Sequence, residues 1–159
     1  MAVTTQKSSE VTAIDNATGV LDVNKYGGAI RYLSFSFTQL GAGDANSTVD
    51  LVLLPAGKVT VLLAQSRIAN SAFGSSRVLD LGWPAYADVN GTAVVADDNG
   101  LDDDQDVASA GAYAPTGTVG GAETRVFESR DGVRLQAKVT GGTIPDGATL
   151  AGYFAIVHQ

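Results

Sequence analysis

The chain has 159 residues, 45% of them apolar, and no cysteine, which excludes a disordered protein, a disulfide scaffold, a thiolate nucleophile and a Cys-ligated zinc site. Its net charge of −7 comes from residues 80–159, where twelve acidic side chains stand against four basic ones, while residues 1–79 carry five acidic and six basic. With no basic patch and no apolar run near the ~20 residues of a membrane span, neither nucleic acid nor a membrane is an expected partner.

Nineteen glycines and four prolines cut the chain into short segments joined by turns, a pattern that suits strands. Residues 1–27 are polar and read as an extended N-terminal arm ending at Gly27-Gly28. The arm is either a frayed terminus or a segment that orders against a neighbouring subunit, with Thr4, Thr5, Val11, Ile14 and Val20 as its contact residues. Residues 28–159 read as one domain. From Ile30, Leu33, Phe35 and Phe37 alternate with Ser34, Ser36 and Thr38, the period of a half-buried strand. A loop is expected over 41–48, then a strand in which Val49, Leu51 and Leu53 share a face up to Pro55. After a turn at Ala56-Gly57, Val59, Val61 and Leu63 mark a strand buried on most of both faces.

Residues 66–76 read as polar and irregular, with room for one helical turn. Val78–Gly82 is a short strand. Residues 84–123 are the least apolar long stretch and predict a long acidic loop, with a short helix around Asp103–Ala110. Val126–Glu128 is a brief strand. Val133, Leu135, Ala137 and Val139 alternate cleanly with Arg134, Gln136, Lys138 and Thr140. TIPDG (143–147) is a turn by residue chemistry, and Leu150–His158 is a final apolar strand. Seven to nine short strands at regular spacing predict an all-β, antiparallel β-sandwich, with a jelly roll as the expected version.

Catalytic chemistry is sparse. The one histidine, His158, lies beside the C-terminus without a nucleophile motif, and no phosphate-cradling glycine loop is present. Two carboxylates would suffice for a glycosidase, but a single tryptophan is a poor complement of sugar-gripping aromatics. An enzyme is therefore not expected. The one local feature that stands out is the run from Asp88 to Asp106, with seven aspartates and no positive charge. Two readings stand side by side: a solvated acidic loop, or a calcium site built from Asp97, Asn99, Asp102, Asp104 and Asp106. The EF-hand template fails here, because placing Gly100 at its glycine puts Val95 at the first ligand position. Trp83 and Tyr86, after a strand end, are either core or an exposed aromatic anchor for a partner or a sugar.

The succession LVLLPAGKVTVLLAQSRIAN (51–70), SSRVLDLGW (75–83) and ADDNGLDDDQDVASAG (96–111) resembles small structural proteins encoded near capsid genes in tailed bacteriophages. Leu54, Pro55, Gly57, Ser66, Arg67, Leu79, Asp80, Leu81 and Gly82 carry the resemblance. It implies a capsid decoration, or cement, protein on the virion exterior, bound to the major capsid protein as a homo-oligomer, a trimer being the expected form. With no Sec signal at Met1, synthesis in the host cytoplasm is expected. Two other readings stay open. One is a neck, tail or fibre-associated virion part. The other is a carbohydrate-binding module or adhesin with Trp83 and Tyr86 facing the sugar and a calcium-stabilised loop.

Overall fold

The computed structural model describes residues 29–117 and 123–159; the N-terminal arm and its five contact residues lie outside the described residues. The alternating segments become strands because every second side chain has a core to enter. In chain order these are β1 (Ile30–Thr38), β2 (Thr48–Leu54), β3 (Gly57–Asn70), β4 (Val78–Trp83), β5 (Tyr86–Ala87), β6 (Ala93–Val94), β7 (Asp97–Asp106), β8 (Gly111–Tyr113), β9 (Thr124–Ser129), β10 (Val133–Thr140) and β11 (Thr149–His158). β1, β11 and β3 lie side by side in the first sheet. The 14-residue β3 takes two further partners, β9 along residues 57–62 and β8 along 68–70. The second sheet has the order β2-β10-β4-β7, and all pairings are antiparallel. β5 and β6 form a small separate hairpin. The chain changes sheet at every step except from β4 to β7 and from β8 to β9, which makes the sandwich a jelly roll. The predicted architecture is the observed one.

Between the sheets, Val59, Val61, Leu63 and Ile68 of β3 and Phe154 and Ile156 of β11 meet Leu79 and Leu81 of β4 and the alternating residues of β10. Trp83 and Phe127 join the two sheets edge to face, with ring centroids 5.2 Å apart. Each fully buried side chain of this size contributes roughly 1.5–3 kcal/mol.

Three sequence expectations are overturned. Residues 66–70 are not irregular but the second half of β3, and no helix occurs among the described residues. The register of β3 against β11 shows why the pattern hid this. Leu62 pairs with Ala155 and Arg67 with Tyr153, so residues 63–66 all oppose Phe154. A bulge this large breaks the period-two alternation midway along the strand. Ser66 closes it: its Oγ donates to the Leu62 carbonyl at 2.8 Å and accepts the Ala155 N–H at 3.0 Å. Second, residues 97–106 of the acidic run are neither a loop nor a helix but the edge strand β7, and β5, β6 and β8 add three short strands to the stretch after Trp83. Pairing with the buried β4 gives this polar segment its backbone partners, so tertiary context overrides its weak strand propensity. Third, Val49, Leu51 and Leu53 do not share a face. Leu135 pairs with Val52 but Gln136 with Asp50, so Leu51 sits in a bulge; Val49 and Leu54 enter the core while Leu53 is exposed.

Candidate functional site

β7 does not gather the five expected calcium ligands. Asp97 Oδ1 accepts the Asn99 N–H, Asn99 Nδ2 donates to Asp103 Oδ1 at 3.0 Å, and Asp106 Oδ1 accepts the Ala108 N–H at 2.8 Å. Asp102 is buried, and its Oδ1 accepts both the N–H and the hydroxyl of Thr116. Its Oδ2 and the Tyr113 hydroxyl have no partner among the described residues. Burial pushes the Asp102 carboxyl above its ordinary range against the pull of the Thr116 bonds. It raises the Tyr113 phenol as well, with the Asp102 and Asp80 charges adding to the effect.

The carboxylates that do converge are Asp80, Asp103 and Asp104, whose oxygens lie within 4.8 Å of one another. Only Asp104 belongs to the sequence-predicted set. A bulge brings the trio together: Leu79 pairs with Gln105 and Leu81 with Asp102, leaving Asp103 and Asp104 both opposite Asp80. Asp104 takes a left-handed backbone (φ 53°), and its N–H donates to Asp80 Oδ1 at 2.9 Å. Burial raises the Asp80 carboxyl, the Asp104 N–H works against this, and the charges of Asp104 and Asp103 add to it. Three carboxylates are hard oxygen donors of the kind calcium takes, though calcium asks for 6–8 ligands. Lys138 carries a compensating charge, with its Nζ 2.7 Å from Asp98. Arg134 and Gln136 likewise both reach Asp50, at 2.7 Å and 2.6 Å.

The aromatic pair is not an exposed anchor. Trp83 is 2% exposed, its Nε1 donates to the Val95 carbonyl, and the Arg125 guanidinium lies 4.6 Å above its ring. Tyr86 is half-buried against Phe127. His158 is also tied down, its Nε2 standing 2.9 Å from the Ala56 carbonyl, so that nitrogen carries the proton.

The four sheet edges differ sharply. β7 carries exposed carboxylates and two register shifts, and on the same side β8 and β9 are short. Charges, bulges and short strands are the devices that keep an edge from pairing. On the opposite side the edges are β1 and β2. β1 runs for nine residues with one charge, Arg31, and no proline. Its inward side chains Leu33, Phe35 and Phe37, with Leu51 and Val52 of β2, pack on the core but stay only partly buried. A cleft of about 690 Å³ lined by Phe37, Val49, Asp50, Gln136 and Ile144 among others opens between these strands. On the outer face of the first sheet, Ile30, Tyr32 and Val126 are exposed, and the Tyr32 ring stands edge-on to Tyr153 at 5.1 Å. Sequence reasoning missed this side. The available signal was β1's own composition, apolar and nearly uncharged in an otherwise acidic chain.

The fold recurs in the capsid structures of two phages. A chain in the capsid of Ralstonia phage GP4 superposes with a TM-score of 0.62 at 21% identity, covering 83% of this chain and 86% of its own. A chain in the cyanophage Pam1 capsid asymmetric unit gives a TM-score of 0.55 at 13% identity, covering 90% of this chain and 96% of its own. No protein-family model and no curated protein sequence matches the chain.

Proposed function

We propose that this chain is a virion structural protein that binds the outer surface of a phage capsid and stabilises the head. The observation that carries this reading is the match of size as well as fold. The chains it resembles in two phage capsids are almost wholly accounted for by this one jelly roll, at 96% and 86% of their lengths. The residue chemistry supports it. A closed apolar core between two sheets is suited to bearing load, and the sole histidine is held by a backbone carbonyl. The partner is the major capsid protein, and the working unit is a homo-oligomer, because a symmetric particle offers repeated, symmetric sites. The N-terminal arm supplies grip.

Cryo-electron microscopy of particles carrying the protein tests the placement. Density in many copies over the head is the expected result, and density confined to one vertex, the neck or the tail refutes it. In a parallel binding assay with undecorated capsids, deleting residues 1–20 weakens binding without unfolding the domain. Saturation at unchanged affinity would remove the arm from the mechanism.

A further inference from the structure

Two of the chain's six asparagines, Asn90 and Asn99, stand directly before a glycine. At such a step the glycine amide nitrogen, with no Cβ to shield it, can attack the asparagine side-chain carbonyl and close a succinimide ring. The fold gives the two steps opposite surroundings. Asn99-Gly100 lies inside β7. Gly100 is buried, and a Cβ placed on it would stand 2.3 Å from the Trp83 ring and 2.7 Å from an Asp97 carboxylate oxygen. The Asn99 side-chain amide donates to Asp103 Oδ1 and its backbone N–H to Asp97 Oδ1. Closing a ring there would turn a strand peptide packed against the core. Asn90-Gly91 instead forms the turn of the β5–β6 hairpin, a sheet of its own with only two residue pairs. Both residues are exposed, and nothing lies within 4 Å of where a Gly91 Cβ would be. The Asn90 side chain has no hydrogen-bond partner among the described residues. One bond opposes attack: the Gly91 N–H donates to the Asp88 carbonyl at 3.0 Å. It is an exposed bond of a short hairpin, the kind that local opening breaks at little cost.

We propose that Asn90 is a site of spontaneous covalent modification, converting to aspartate and isoaspartate in the folded protein while Asn99 is protected. The Gly91 nitrogen bonds to Asn90 Cγ, the Cγ–Nδ2 bond breaks, and ammonia leaves with the proton of the Gly91 amide. Water then opens the ring. Breaking the bond from Cγ to the Gly91 nitrogen gives aspartate; breaking the bond from the Asn90 backbone carbonyl carbon to that nitrogen gives isoaspartate, with the chain now running through Cγ. Either product adds a negative charge, and isoaspartate also lengthens the backbone by a carbon. The turn is poorly placed to absorb this. Asp88 Oδ1 accepts the N–H groups of both Asn90 and Thr92, at 2.8 Å and 2.7 Å, a spacing set by the ordinary backbone between them. The modified hairpin is therefore loosened beside Val95, whose carbonyl accepts the Trp83 Nε1–H. None of this rests on the capsid reading.

Peptide mapping by mass spectrometry tests this, on protein held in warm, mildly alkaline buffer either folded or unfolded in urea. In urea the two Asn-Gly steps convert at similar rates, because only local sequence acts. In the folded protein Asn90 goes on converting, its aspartate and isoaspartate peptides resolved by chromatography, while Asn99 converts roughly 10-fold or more slowly than Asn90. Asn90→Gln, which would have to close a larger ring, stays unmodified at the turn and leaves the rate at Asn99 unchanged. Conversion of Asn99 in the fold as fast as that of Asn90 overturns the proposal. So does an Asn90 that converts in urea but not in the folded protein.

Discussion

Replacing Ser66 by Ala isolates the interaction that holds the central strand in register. Ser66 is 3% exposed, and its hydroxyl both donates to the Leu62 carbonyl and accepts the Ala155 N–H. Ala155 is fully buried, so its N–H would have no water to turn to. One buried donor left unpaired costs about 1–3 kcal/mol, and the lost bond to Leu62 adds about 1 kcal/mol, for a total of roughly 2–4 kcal/mol. In a domain of this size each kcal/mol lowers Tm by about 2–4 °C, so a drop on the order of 5–15 °C is expected. Urea unfolding gives the free energy directly. The midpoint falls while the slope stays constant, because the surface exposed on unfolding is unchanged. Ser66→Thr keeps the hydroxyl and loses less. If Ser66→Ala unfolds within about 0.5 kcal/mol of the parent, a range usual for surface substitutions, the bulge does not depend on this side chain and the account of β3 is wrong.

Two further outcomes follow from the buried groups. Asp80 and Asp102 both have carboxyls raised by burial, so the folded state holds protons that the unfolded state has released. Their contribution therefore increases stability as pH falls from neutral toward the ordinary carboxylate pKa near ~4, and the gain stops once the unfolded carboxyls are protonated too. Thermal unfolding at several pH values checks the sign, and Asp102→Asn flattens the dependence. Trp83→Ala removes a ring clasped by Phe127, Gly100 and Arg125 and lowers stability by about 3–5 kcal/mol. A variant of undiminished stability would refute the core reading of Trp83, one of the two its sequence position allows.

The legible parts of the sequence were those where alternation met at least one uninterrupted ladder. β10 pairs without a register shift against β4, and its inward and outward residues fall where period two puts them. β1 and β11 pair in an unbroken register of nine residues, and both read correctly as strands. Three of the misread segments contain or face a bulge: residues 63–66 of β3, Leu51 of β2, and the two shifts of β7 against β4; β5, β6 and β8 pair without a shift and are two or three residues long, too short for a period to show. A bulge places consecutive residues on one side, so its sequence loses the period that identifies a strand. The acidic trio was illegible for a related reason. Asp80 reads as an ordinary outward strand residue, and only the bulge opposite brings Asp103 and Asp104 to it.

The same bulges bear on how the acidic half of the chain shapes its sheet edge. At β7, exposed carboxylates sit on an edge strand beside short β8 and β9, so a second strand approaching there meets like charge and broken geometry. The charge is also neutralised in part from within, through Lys138 and Asp98, so it does not unbalance the second sheet. Among the described residues the edge left suited to pairing is on the opposite side, where β1 combines a long edge, half-buried Leu33, Phe35 and Phe37, and a single charge. The asymmetry of charge along the sequence becomes an asymmetry of edges in space, one side closed to pairing and one side open. The open side is the one at which the preceding 28 residues join the fold.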